Sequence, residues 1–345
     1  MIIVKAPFRI SFFGGSTDYK EFYEQHGSFL IGTTIDKNVY LSMRKRPPIL
    51  PQESIITYSQ QQIVKNWDEI HNPLIREILK YRNIDQTIEF NSFSDVPSRT
   101  GLGGSSSFCV GMLYLLNKVF GKVEISPKEL AYEAIHIERV ILREAGGIQD
   151  QIWPAYGGLN TIEIQPNGNF LVKPLAVTKE FREELQKSML LIYTNDQREQ
   201  NSIAKSHEHK DKTAILQIAK EAHRYFLNED IEGIGKLLRA TWEEKQRISP
   251  FITTGKINKI IDEIRSMGAC GWKLLGAGGC GFILVLCNPI TKQKLYDIFA
   301  NNILEFSFEE SGVSVIYNGG NDDSRIQYFT NKNMLKTLSK NSPGA

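Results

Sequence analysis

The run Pro97-Ser98-Arg99-Thr100-Gly101-Leu102-Gly103-Gly104-Ser105-Ser106-Ser107 constrains this chain more than any other segment. Its glycines allow a backbone to approach an anion closely, and it leads directly into a helical pattern over residues 105–120. There Phe108, Met112, Leu115, Leu116 and Val119 fall on one face. A helix start offers unpaired N–H groups and the positive end of a dipole, so loop plus helix predicts a phosphate cradle. The serine hydroxyls could add donors, or an oxygen ligand for Mg²⁺. A flexible turn with a serine cap is the plainer alternative. The pattern G-x-x-x-x-G-K-[ST] does not occur, which excludes an ordinary P-loop.

Around this loop the pattern is mixed. Short apolar or alternating runs at residues 2–4, 10–13, 29–35, 39–43, 55–58 and 87–93 predict a β-rich first third. Ser126-Pro127-Lys128-Glu129 is a capping-box pattern and predicts a helix reaching about residue 143. Strands near 159–164 and 189–193 come next, then helices near 214–227, 231–248 and 256–267. The end mixes strands at 273–275, 282–286 and 313–317 with a helix at 291–300. Strands grouped with strands and helices with helices predict an α+β protein, with a domain break near Ser188 separating 1–187 from 188–345. The chain has 345 residues, and its 41 Lys and Arg against 39 Asp and Glu give a formal charge of +2. That balance speaks against nucleic acid or a membrane surface as a partner. Cys109, Cys270, Cys280 and Cys287 form no C-x-x-C pair, which disfavours a disulfide framework or a zinc knuckle. Lys5 and Arg9 interrupt the apolar start, and no apolar stretch approaches about 18 residues. A cytoplasmic protein of enzyme size is the expectation.

Three further places could carry chemistry. Gly276-Ala277-Gly278-Gly279-Cys280-Gly281 matches G-x-G-x-x-G but precedes a strand, so a Rossmann reading fails. A kinase Gly-loop reading fails too, because neither H-R-D nor D-F-G occurs. A glycine hairpin is the plain alternative. Glu138 shares a helical row with Ala131, Ile135 and Leu142, where a carboxylate is costly unless it meets a cation, a metal or hydrogen-bond donors. Asp150 follows in Gly147-Ile148-Gln149-Asp150-Gln151. One acid could hold Mg²⁺ while the other works near a reacting hydroxyl; alternatively Glu138 pairs with Arg139 or Arg143 and Asp150 is a turn former. Arg9 is a lone charge in an apolar run, and the turn after it, Gly14-Gly15-Ser16-Thr17-Asp18, suits sugar hydroxyls.

Taken in order, these motifs resemble the GHMP kinase family. An N-terminal substrate motif lies at about 5–19, a P-x-x-x-G-L-x-S-S-type loop at 97–107 and a G-A-G-G-type loop at 273–282. The resemblance implies a GHMP kinase fold, with an N-terminal domain like ribosomal protein S5 domain 2 and a ferredoxin-like C-terminal domain. It implies an ATP-dependent phosphotransferase that uses Mg²⁺, with Asp150 and Arg9 at the reacting hydroxyl. Pro97, Gly101, Leu102, Gly103, Gly104, Ser105, Ser106 and Ser107 would hold ATP, with Ser105 and Glu138 on the metal. Gly14, Gly15, Ser16, Thr17, Asp18, Gly278 and Gly279 would meet the substrate. The string from Arg9 to Asp18 departs from the galactokinase pattern Gly-Glu-His-Thr-Asp and resembles the heptose 7-phosphate kinase branch. That branch phosphorylates the anomeric C1 hydroxyl for nucleotide-activated heptose and surface glycans. A C1 kinase for an unphosphorylated sugar such as L-fucose, or a silent sugar/ATP sensor, are the alternatives. A 7-phosphate calls for an extra cation, for which Arg99, Lys173 and Arg198 are candidates, and Trp67 is a candidate for the adenine pocket. His207-Glu208-His209-Lys210 and Trp242-Glu243-Glu244-Lys245 read as solvated faces, the second as an exposed helix with charge pairs. Oligomeric state leaves no legible pattern; a homo-oligomer is compatible with the sequence.

Overall fold

A computed structural model describes residues 1–121, 123–195 and 210–319. The first part of the chain is β1 (Ile2–Phe13), α1 (Lys20–His26), β2 (Ser28–Lys45), β3 (Ser54–Thr57), β4 (Gln61–Val64), α2 (Pro73–Tyr81) and β5 (Ile88–Ser94). After these come α3 (Gly104–Phe120), α4 (Pro127–Ile135), α5 (Gln149–Tyr156), β6 (Asn160–Ile164), β7 (Phe170–Pro174) and α6 (Lys179–Lys187). The remainder is β8 (Met189–Tyr193), α7 (Thr213–Leu227), α8 (Ile231–Ile248), α9 (Gly255–Ser266), β9 (Gly271–Leu274), β10 (Phe282–Leu286), α10 (Pro289–Phe299), β11 (Ile303–Leu304), β12 (Phe308–Glu309) and β13 (Ser314–Asn318). The fold is α+β.

Two sheets organise it. The larger runs β13-β1-β2-β5-β3-β4, with β6 and β12 also pairing with β2 and β7 with β6. The smaller is antiparallel in the order β11-β8-β10-β9. With α7, α8 and α9 between β8 and β9, and α10 between β10 and β11, this is the β-α-β-β-α-β pattern of a ferredoxin-like unit. The expected unit 188–345 is not self-contained. Its first strand opens the small sheet just after Ser188, but β12 and β13 return to pair with β2 and β1 of the large one.

The early strands are longer than the sequence suggests. The separate runs at 2–4 and 10–13 are one strand, as are 29–35 and 39–43. Pro7 and the polar stretch Asp36-Lys37 look like breaks, yet a bulge absorbs both. Pro7 faces Asn38 and the next residue, Phe8, faces Ile35, so Asp36 and Lys37 form the excess. The capping box forms as expected: the Ser126 hydroxyl accepts from the Glu129 amide, and the Glu129 carboxylate accepts from the Ser126 amide. The helix, however, changes pitch before residue 143. Residues His136–Ile141 form a π-helical turn, closed by the Leu142 N–H donating to Ile137 O. That turn carries Glu138.

Candidate active site

A cavity of about 1020 Å³ opens between the α3 N-terminus, the second half of β1, the α5 N-terminus and α8. Its chemistry centres on three consecutive residues at the start of α5. Gln149, Asp150 and Gln151 each reach a different part of the site. Asp150 takes a two-pronged ion pair from Arg9, whose Nε and Nη2 each donate over 2.8 Å. The Arg9 Nη1 donates to Gly101 O at 2.5 Å, tying this pair to the glycine loop. Arg9 is buried and Asp150 half-buried, so the guanidinium fixes the carboxylate's orientation while one side of the acid stays open to the cavity.

Gln149 serves the N-terminal motif. Its backbone N–H and its Nε2 donate to the two oxygens of Asp18, each at 3.1 Å. Asp18 is buried, and burial, then the charge of Asp150, pushes its carboxyl up from the ordinary aspartate value. Gly147 is needed here, since a Cβ on it would lie 1.8 Å from Asp18 Oδ2. Gly15, Ser16 and Asp18 line the cavity. Gly14 and Thr17 build the turn behind them: the Thr17 hydroxyl donates to Gly14 O at 2.7 Å and is buried.

Gln151 serves the other acid. Its Nε2 donates to Glu138 Oε2, which also accepts from the Ser106 hydroxyl at 2.6 Å. Glu138 is buried, while Arg139 turns away to donate to the carbonyls of Gly147 and Glu144. The surface pairing of Glu138 with Arg139 is therefore not what this structure contains. Glu138 Oε1 is buried without a hydrogen-bond partner among the described residues. The serines divide their work by helical rotation. Ser105 is exposed and lines the cavity, Ser106 faces Glu138, and Ser107 is buried and donates to Pro7 O at 2.8 Å. Pro97, Gly101, Gly103 and Gly104 line the cavity; Leu102 is buried, its carbonyl accepting from the Arg9 amide.

The second glycine loop takes a different place. Gly276 and Ala277 reach the cavity, but Gly278 and Gly279 back onto Ile252, whose carbonyl accepts from the Gly279 amide at 2.7 Å. Two lysines of the site are not evident from the sequence. The expected charge pair is present, Arg247 donating to Glu244, but Trp242 and Lys245 are buried on the inner side of α8 and only Glu243 of the four is fully exposed. The periodic inner positions Ile234, Leu238, Thr241 and Trp242 extend to Lys245 and Ile248, a signal the charged residues around them hid. Lys273 is buried at the end of β9 and donates to Ser11 O and Phe12 O. Burial brings Lys245 down to about 7, with Arg9 adding to the effect and Asp150 opposing it. Burial, with Lys245 and Arg9 nearby, holds Lys273 well below the ordinary lysine value. Of the proposed extra cations, Arg99 lines the cavity, Lys173 is exposed on β7 away from it, and Arg198 lies outside the described residues, as do His207, Glu208 and His209. Trp67 does not line the cavity; its Nε1 donates to Ile84 O.

Residues 69–158 match the model of the GHMP kinases N-terminal domain, and residues 222–302 that of the GHMP kinases C-terminal domain. The chain belongs to the GHMP kinases. It is 28% identical to a D-glycero-alpha-D-manno-heptose 7-phosphate kinase of Campylobacter jejuni, over 90% of this chain and 98% of that one. A bifunctional fucokinase/GDP-fucose pyrophosphorylase of Arabidopsis thaliana is 24% identical over 84% of this chain, which spans 30% of that longer protein. The crystal structure of a D-glycero-D-manno-heptose 1-phosphate kinase from Bacteroides thetaiotaomicron superposes with a TM-score of 0.74 at 22% identity, covering 92% of this chain and 100% of that one. The fold is thus that of the family, and this kinase is an ATP-dependent phosphotransferase acting on a sugar hydroxyl. No helix among the described residues is long and apolar enough to cross a membrane.

Proposed function

We propose that this kinase transfers the γ-phosphoryl group of ATP to the anomeric C1 hydroxyl of D-glycero-D-manno-heptose 7-phosphate. The observation that carries the reading is the Arg9–Asp150 pair, held between the glycine loop at Gly101 and the Gly15, Ser16 and Asp18 turn. Asp150 accepts or orients the proton of the acceptor hydroxyl, and Arg9 keeps it aimed while offsetting charge beside the phosphate. An anomeric hydroxyl is more acidic than an ordinary alcohol, so a carboxylate is an adequate base. The open amides at the α3 N-terminus and the exposed Ser105 hydroxyl hold phosphate oxygens. Asp18, fixed by Gln149, and Ser16 take sugar hydroxyls.

Mg²⁺ fits the residues present. The unpartnered Glu138 Oε1 beside the Ser106 hydroxyl is an oxygen donor set of the kind a hard cation prefers, and Ser105 can contribute from the rim. Among the described residues no cluster of three or more His, Cys, Asp or Glu could hold a metal alone, which suits an ion shared with nucleotide phosphates. When bound, Mg²⁺ supplies charge neutralisation at the β- and γ-phosphates. Most of the catalysis is then positioning and charge stabilisation. The product would be a heptose 1,7-bisphosphate, a precursor of nucleotide-activated heptose made in the cytoplasm for surface glycans.

The test is ADP release with Mg-ATP across heptose 7-phosphate, mannose, L-fucose, galactose and mevalonate, with Asp150→Asn beside the native protein. Turnover confined to heptose 7-phosphate and lost in the variant is the expected result. Turnover confined to L-fucose or another neutral sugar would overturn the acceptor assignment.

A further inference from the structure

Lys245 has no role in the transfer described above, yet it occupies a costly place. It lies on α8 one turn after Thr241, both residues buried in the cavity wall. Its ammonium has three donors, and among the described residues one acceptor, Gly276 O. The charged groups around it are Arg9 on β1, Lys273 on β9 and Asp150 on α5. Arg9 is engaged by Asp150 and Gly101, and Lys273 by the carbonyls of Ser11 and Phe12. The buried face of α7, which packs on α8, is apolar: Ile215, Leu216, Ala219, Ala222 and Phe226. Lys212, just before α7, stands over the Tyr19 ring near Asp18. Arg9 and the two buried lysines thus stand together in the cavity wall. Among the described residues Arg9 alone of the three is ion-paired, to Asp150, and an anion reaching Lys245 would offset the cost of its buried charge.

We infer that Lys245 binds a phosphate oxyanion of a substrate, from the wall that α8 and the second glycine loop give to the cavity. The oxyanion belongs either to the group that ATP transfers or to a phosphate already on the acceptor. The inference rests on the kinase reading and, for the nucleotide source, not on which sugar is the acceptor. Burial and then Arg9 bring its pKa down to about 7, so it carries little charge at pH 8. A bound anion reverses that, so binding at pH 8 takes up a proton.

The experiment is calorimetry at pH 8 in two buffers of different ionisation enthalpy. The ligands are Mg-ADP, the Mg complex of a β,γ-imido ATP analogue, and heptose 7-phosphate, each with native protein, Lys245→Met and Lys245→Arg. Native protein should take up about 0.8 of a proton if the pKa rises to about 9, and about 0.9 if it rises to about 10. Uptake with the imido analogue and not with ADP assigns the transferred phosphate; uptake with heptose 7-phosphate assigns the acceptor's. Lys245→Met should weaken the responsible ligand about tenfold or more and abolish the uptake. Lys245→Arg should recover much of the affinity without uptake, because arginine stays charged, a pattern that mere packing would not produce. If Lys245→Met does not fold, the native and Lys245→Arg data decide alone. Uptake with none of the ligands, or uptake retained in Lys245→Arg, overturns the inference. Failure of heptose 7-phosphate to bind would count against the acceptor assignment and leave the nucleotide comparison to decide Lys245.

Discussion

The two glycine loops share a Gly-x-Gly-Gly run and have opposite surroundings. The first, around Gly101 to Ser107, opens a helix and presents its start to a cavity. The second, around Gly276 to Gly281, joins two strands and spends most of its backbone on protein. A Cβ on Gly276 would sit 2.5 Å from Gly101 Cα, and one on Gly101 would sit 2.6 Å from Leu275 O. The Phe282 amide donates to Thr100 O at 3.1 Å. Only glycine permits two backbones to meet this closely. The second loop thus acts as a brace for the first, and its polar contribution to the cavity comes through Lys245, which donates to Gly276 O. A glycine pattern alone does not separate a ligand cradle from a backbone contact. The element that the loop leads into, helix or strand, does.

Substitutions can break that contrast. The largest effect is expected at Arg9, which links the first loop to Asp150. Arg9→Met should lower kcat by about 10²-fold or more, read in a steady-state ADP assay, because the acid loses its aim and the pocket its paired charge. Gly276→Ala should act on folding first: a positive φ of 71° and the Gly101 contact predict a loss of about 1–3 kcal/mol from the backbone alone, measured by urea unfolding. Equal stability for Gly276→Ala and native protein would sink the brace. Glu138→Gln should keep the fold and shift the Mg²⁺ requirement for turnover upward by about tenfold, since one donor oxygen becomes neutral. Ser107→Ala should cost about 1 kcal/mol of stability, with unchanged KM for ATP, whereas Ser105→Ala should do the reverse.

A pH trend follows from the buried Lys245. Lys245 is depressed in the folded protein, so between about 7 and the ordinary lysine range the unfolded chain binds more protons. Stability then rises with pH across that window and loses this contribution as pH falls through about 7. Lys245→Met should flatten the rise, seen as a smaller change in Tm between pH 7 and 9.

Local signals made much of this legible. The capping box at Ser126 and the apolar spacing of α3 act within a few residues: α4 starts where the box puts it, and α3, α7 and α8 form within a residue or two of expectation. Long-range features were not legible. Pro7 and Asp36-Lys37 resemble breaks until the partner strand shows the bulge that accommodates them. Among three adjacent serines, sequence cannot say which hydroxyl a 100° rotation aims at Glu138, and the answer is Ser106. Lys245 and Lys273 resemble solvent-facing charges, because nothing local announces that α8 and β9 complete a cavity begun by β1. Gln149 and Gln151 are more instructive. Adjacent amides flanking an acid look unremarkable, yet each fixes a different carboxylate across more than ten residues of chain.

In the proposed mechanism Asp150 and Arg9 direct a phosphoryl group onto an anomeric oxygen. ³¹P NMR of the product from Mg-ATP and heptose 7-phosphate tests it most directly. A new phosphate resonance coupled to the anomeric proton, absent with Asp150→Asn, is expected. A new phosphate on any other carbon, or an anomeric phosphate formed undiminished by Asp150→Asn, would contradict it.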